Sequence, residues 1–202
     1  AFCGARSNLM IKAIIFDCFG VLYVRHGPEY VKNHAKNYDR IKGDVLDLHN
    51  QVDYGLISTT EFEQQLAELT GLTQGEINRH YTRGFGRNNE LMDYIESVLR
   101  PHYNIGMLSN IGRGTMEEFF TKKEREHLFD SAVLSSETGM IKPNPAAYVH
   151  MCETLGVDTS EAIMIDDNAD NVRGAEIAGL VAIRYDGFAH LKRRLEKLLP
   201  KI

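Results

Sequence analysis

Short apolar runs recur along the chain and alternate with amphipathic stretches. Residues 11–16, 103–108, 131–134, 162–165 and 180–185 are apolar at most positions, as strands buried on both faces of a parallel sheet are. Residues 90–99, 115–125, 146–155, 171–178 and 189–199 place apolar side chains at helical spacing. Strands alternating with helices of this length predict βαβ units with right-handed crossovers. The expected fold is therefore α/β, a Rossmann-like parallel sheet with helices on both faces.

One segment breaks the rhythm. From 23 to 87 there is no convincing buried strand, only helical patterns such as "TTEFEQQLAELTGL". Thr60 and Glu63 predict a capping box there, and Gly71 a C-terminal stop. The expected organisation is a core of residues 11–22 and 88–202, with a small helical cap, 23–87, inserted after the first strand. Residues 1–9, "AFCGARSNL", lack the apolar stretch of a signal peptide and are expected to be a tag or a disordered extension.

In an open α/β sheet, ligands bind beyond the carboxyl ends of the strands. The first strand ends in Asp17, within "IIFDCFGV". The second delivers Ser109 and Asn110, in "GMLSN". Lys142 follows the third, in "GMIKPNPAAY", and the fourth ends in Asp166 and Asp167, in "IMIDDNADN". Carboxylates gathered at strand ends repel one another and cost several kcal/mol each to desolvate without compensation. A divalent cation supplies that compensation, and an all-oxygen donor set suits Mg²⁺. A metal, a lysine, a hydroxyl and an uncommitted carboxylate together suit a phosphoryl group, whose charge is offset while the carboxylate attacks phosphorus.

The order Asp17-x-x-Gly-Val, Ser109-Asn110, Lys142-Pro143, Asp166-Asp167 resembles the four motifs of the haloacid dehalogenase-like (HAD) hydrolases, over residue 11 to roughly 185. "DDNADNVRGAEIAG" is similar to the fourth motif of small bacterial sugar-phosphate phosphatases in that superfamily, of the glucose 1-phosphate type. The resemblance implies an enzyme, a Mg²⁺-dependent phosphatase acting on a small phosphorylated substrate such as a sugar phosphate. It implies Asp17 as nucleophile and metal ligand, with the main-chain carbonyl of Phe19 as a second ligand. Ser109 and the amide of Asn110 would hold phosphoryl oxygens, and Lys142 would neutralise charge between nucleophile and phosphate. Asp167 would bind the metal, Asp166 would assist directly or through water, and Asn171 would orient the acidic loop.

Phe19 departs from the pattern. Most phosphatases of the superfamily have a second aspartate there, which protonates the leaving oxygen; such acid–base help is worth roughly 10² to 10⁴ in rate. Haloacid dehalogenases also carry an aromatic residue at this position, and a 2-haloacid dehalogenase is one alternative. Against it stands the acidic pair, which a metal-free dehalogenase does not need. A catalytically weak phosphate-binding relative is a second alternative. A receiver domain of two-component signalling fits less well, because its acidic pair comes on the first strand.

Composition narrows the partners. With 23 basic and 28 acidic residues the net charge is −5, which argues against an electrostatic grip on nucleic acid. No apolar run reaches the roughly 18 residues needed to span a bilayer. Cys3, Cys18 and Cys152 show no metal-ligand spacing, so a reducing, cytoplasmic setting is expected. Either a monomer or a homodimer is compatible with the sequence.

Overall fold

The computed structural model describes residues 10–26 and 30–200. Residues 1–9 lie outside the described residues, and with them the expected tag or extension. The central sheet contains β1 (Ala13–Phe16), β4 (Asn104–Ser109), β5 (Ser131–Leu134), β6 (Ala162–Asp166) and β7 (Val181–Arg184), every pairing parallel, in the order β5-β4-β1-β6-β7. Alternation along β1 divides the core. Ile14 and Phe16 face one apolar layer with Ile105, Met107, Ile163 and Ile165. Ala13 and Ile15 face the other, with Leu108, Val133 and Met164. With helices on both sides, each strand reads as a continuous apolar run. Strand order reverses on either side of β1, so the crevice at its carboxyl end lies at a topological switch point.

Between β1 and β4 lie β2 (Tyr23–Arg25), α1 (Tyr30–His34), α2 (Tyr38–Asp53), α3 (Thr59–Thr70), α4 (Gln74–Arg83), β3 (Phe85–Arg87) and α5 (Asn89–Tyr94). The helices α1 to α4 build their own apolar cluster from Val31, Val45, Leu48, Val52, Phe62, Leu66 and Ile77. β2 and β3 pair antiparallel, Tyr23 opposite Arg87, and form a two-stranded ribbon at the base of this insert. Three-residue strands "YVR" and "FGR", only partly buried, leave no apolar run for sequence reading to find.

Two local expectations are corrected. The helix expected over 115–125 is two helices, α6 (Met116–Phe119) and α7 (Lys122–Leu128). Between them Phe120 is extended and buried, and Thr121 begins a new capping box with Glu124. The capping box of α3 is Ser58 with Glu61, not Thr60 with Glu63. Ser58 Oγ accepts from the Glu61 amide at 3.1 Å, and the Glu61 carboxylate accepts from the Ser58 amide at 2.8 Å. Both pairs fit the same spacing, and the helix starts at the first of them. Gly71 caps α3 in the left-handed conformation, as the sequence predicts. After β5 come α8 (Ser135–Thr138), α9 (Pro145–Leu155), α10 (Ala169–Ile177) and α11 (Phe188–Leu198), and among the described residues no helix is long and apolar enough to cross a membrane.

Replacing the capping side chain tests this correction. Ser58→Ala is expected to cost about 1 kcal/mol in urea denaturation, whereas exposed Thr60→Ala stays within about 0.5 kcal/mol of wild type.

Candidate active site

The carboxyl ends of β1, β4 and β6 bring the expected residues together. Phe16 is in register with Met107 and Ile165, so Asp17 leaves β1 level with the ends of both neighbours, its amide bonded to the Ile165 carbonyl at 2.9 Å. Lys142 is buried and turned inward: its Nζ lies 2.8 Å from Asp17 Oδ1 and 2.7 Å from Asp166 Oδ2. Asp17 Oδ1 also accepts from the Cys18 amide at 2.7 Å. One carboxylate oxygen each from Asp17, Asp166 and Asp167 fall within 4.8 Å of one another.

Each member of this cluster has a visible local cause. Gly20 has φ 88°, and a Cβ there would lie 2.3 Å from the Asp167 carboxyl carbon; glycine is required both for the turn and for the approach of that acid. Asp166 is fully buried: Oδ1 accepts from the Asn168 amide at 2.9 Å, and Asn171 Nδ2 reaches both its oxygens at 3.1 Å. Asn171 thus orients the acidic loop from α10, and its own carbonyl is held by the Tyr148 hydroxyl at 2.7 Å. Ser109 Oγ, at the end of β4, is buried and has no hydrogen-bond partner among the described residues. Among the described residues none of the main-chain hydrogen bonds of the turn after Asp17 goes to the Phe19 carbonyl, which is left with free lone pairs.

The charges are mutually dependent. Burial pushes the Asp17 carboxyl up to about 7; Lys142 opposes this, while Asp166 and Asp167 add to it. Asp167 is raised too, by burial and then by Asp166. Burial by itself would lower Lys142, but Asp17 and Asp166 reverse that and its pKa is raised. A site with more negative charge than one ammonium balances, built from oxygen donors alone, fits Mg²⁺.

Two contributions escaped sequence reading. Asn110 uses its side chain as a clamp on Lys142, accepting from the Lys142 amide at 2.8 Å and donating to its carbonyl at 2.9 Å. Asp53, at the end of α2, lines the same crevice as Asn110 and Lys142. Burial pushes its carboxyl up to about 7, with Lys142 opposing. Its signal in the sequence is an acid in the last turn of a helix, where the dipole disfavours negative charge. The Asp53 carbonyl accepts from the Ser135 hydroxyl at 2.6 Å, and Ser135 Oγ in turn accepts from the Ile111 amide at 3.0 Å. The end of α2 is thereby tied to the loop that carries Ser109 and Asn110.

Comparison with known proteins identifies the family. A family profile described as haloacid dehalogenase-like hydrolase matches residues 11–179. A glyceraldehyde 3-phosphate phosphatase of Methanopyrus kandleri is 41% identical, over 87% of this chain and 84% of that one. A sesquiterpene phosphatase of Aspergillus oryzae is 26% identical, over 85% and 88%. In fold, the chain is similar to a HAD-family enzyme of Bacteroides thetaiotaomicron crystallised with magnesium and inorganic phosphate, with a TM-score of 0.73, 24% identity, and coverage of 90% of this chain and 98% of that one.

Asp53 yields a pH signature in metal-free protein. Between the ordinary carboxylate range and about pH 7 the folded protein keeps a proton on Asp53 that the unfolded chain has released. Stability is therefore lost as pH rises through that window, and Asp53→Asn removes the loss. Relative to wild type, the variant should gain on the order of 2 kcal/mol between about pH 4 and about pH 8, read from urea midpoints. An unchanged difference across that range contradicts the assignment.

Proposed function

The chain belongs to the haloacid dehalogenase-like hydrolases, and from that premise we propose that it is a Mg²⁺-dependent phosphatase acting on a small phosphomonoester through an aspartyl-phosphate on Asp17. The observation that carries this reading is Lys142 Nζ, held between Asp17 at 2.8 Å and Asp166 at 2.7 Å with Asp167 beside them. An ammonium so placed offsets the charge that a phosphoryl group brings against the attacking carboxylate.

In this reading an Asp17 oxygen attacks phosphorus, the phosphorus–ester oxygen bond breaks, and water later cleaves the acyl phosphate. Asp17, the Phe19 carbonyl and Asp167 would hold Mg²⁺, with Asp166, already bonded to Lys142 and Asn171, assisting from behind. When bound, the ion supplies charge neutralisation at the phosphoryl oxygens. The unpartnered Ser109 hydroxyl and the Asn110 amide would receive phosphoryl oxygens, Lys142 neutralising the third. Residues 11–22 and 88–202 would be the catalytic core and 23–87 the cap over the substrate. The buried thiols of Cys18 and Cys152 are compatible with a reducing cytoplasm.

Phe19 limits the leaving group. Its ring packs against Phe85 at 4.8 Å and Phe119 at 4.9 Å, so the position offers no proton. Esters whose oxygen departs unaided are then favoured. The resemblance suggests a sugar phosphate; of the relatives, one is named a glyceraldehyde 3-phosphate phosphatase and the other a sesquiterpene phosphatase. The acidic pair speaks against a dehalogenase.

Phosphate release from p-nitrophenyl phosphate should require Mg²⁺ and fall by more than about 10³-fold in Asp17→Asn. Aryl and acyl phosphates should exceed simple alkyl phosphates by about 10² to 10⁴ in kcat/KM, the gap an internal acid would close. Metal-independent chloride release from 2-chloropropionate would instead identify a dehalogenase.

A further inference from the structure

A cavity of about 350 Å³ opens beside the Asp17 turn, between Phe19 and the inner faces of α2, α3, α4 and β3. Asn110, Ile111 and Asp53 line it together with Phe19 on the core side. Val45, Val52, Phe62 and Phe85 make much of its remaining wall.

Part of the polar lining is already committed within the protein, and Tyr38, Asp53, Thr59, Thr115 and Glu118 complete it. His49 spends both ring nitrogens, on the Val45 carbonyl at 2.7 Å and the Tyr81 hydroxyl at 2.7 Å. Arg25 lies over the Phe85 ring at 4.5 Å and bonds His80 at 2.5 Å. Glu63 accepts from Asn78 at 2.8 Å, Thr82 donates to the Asn78 carbonyl at 2.8 Å, and the side-chain amide of Asn110 is occupied by the Lys142 main chain. A polyol entering here would give up water against the apolar wall of Val31, Val45, Val52, Phe62, Phe85 and Ile111. An apolar body gains by the same transfer.

Phe19 adds a second constraint. The residue that removes the internal acid also forms the apolar floor, so the group lodged here must leave phosphorus unaided. An aromatic alcohol meets both conditions, since a phenolate leaves readily and its ring packs edge-on against Phe19, Phe62 or Phe85. A cavity of about 150 Å³ holds benzene, so about 350 Å³ accommodates a body of one or two rings.

We propose that this cavity receives the leaving group of the substrate and that the enzyme's substrates are aryl phosphomonoesters of one- or two-ring size. The proposal rests on the phosphatase reading above. Asp17 forms the new oxygen–phosphorus bond as the phosphorus–aryl oxygen bond breaks. The bonding pair departs on the phenolate, which takes its proton from water. Hydrolysis of the acyl phosphate then returns the Asp17 carboxylate and inorganic phosphate, so the ester and one water give the phenol and phosphate.

Steady-state rates with Mg²⁺ on acetyl phosphate, phenyl phosphate, 1-naphthyl phosphate and glucose 1-phosphate test this. Phenol and 1-naphthol leave with similar ease, so a preference between their esters reads the cavity and not the chemistry. 1-Naphthyl phosphate should exceed phenyl phosphate about tenfold in kcat/KM and exceed glucose 1-phosphate by more. Val52→Thr and Phe62→Leu should lower the ratio of 1-naphthyl to acetyl phosphate efficiency. Binding of 1-naphthol to the metal-free protein, followed by its fluorescence, should occur and resist competition by glucose. Acetyl phosphate turnover combined with equal or better use of glucose 1-phosphate overturns the aryl assignment and spares the phosphatase. Failure to hydrolyse acetyl phosphate with Mg²⁺ overturns the phosphatase reading itself.

Discussion

A buried ammonium between two buried carboxylates is the interaction on which the rest of the structure depends. Lys142 Nζ contacts Asp17 and Asp166, and all three residues are almost entirely withdrawn from solvent. Such a cluster is poor evidence for stability, because desolvation consumes most of the attraction; removing one partner is nevertheless costly, about 3–5 kcal/mol. Its geometry is enforced from several directions. Asn110 clamps the main chain of Lys142, and Gly174 lets α10 approach until a Cβ would lie 2.3 Å from the Pro143 carbonyl oxygen. Tyr148 holds Asn171, which holds Asp166. Elements far apart in the chain therefore converge on one lysine.

The same network links the insert to the core. Ser135 Oγ joins the end of α2 to Ile111, one residue beyond Asn110. A Cβ on Gly55 would come within 2.6 Å of the Ser136 carbonyl oxygen, so the chain leaving α2 lies flat against the core. Phe19 lies where these parts meet. It lies two residues beyond Asp17, and its ring belongs to the aromatic cluster with Phe85 and Phe119. One residue thus separates the charged half of the crevice from the apolar half.

The sheet was readable from sequence because a strand buried on both faces has no polar position to confuse the pattern, and each strand that carries chemistry ends where the apolar run stops. Asp17, Ser109 and Asp166 were placed for that reason. Helix breaks were harder. Phe120 interrupts an otherwise helical stretch because its ring is drawn into the core, a tertiary demand that local spacing does not record. The choice between Ser58 and Thr60 as cap was likewise open, since both precede a glutamate by three positions. The ribbon of β2 and β3 gains its stability from pairing across the whole insert, not from its three-residue strands.

Local order, the alternation of apolar and amphipathic segments, and the identity of the acids at strand ends belong to the sequence alone, because short-range periodicity and residue chemistry determine them. Tertiary structure decided which partners those groups acquire: the Asn110 clamp, the raised Asp53 carboxyl and the apolar wall of the cavity beside Phe19. Those properties arise from burial and from contacts between residues tens of positions apart. Solvent exclusion is a property of the packed whole, and no window along the chain contains it.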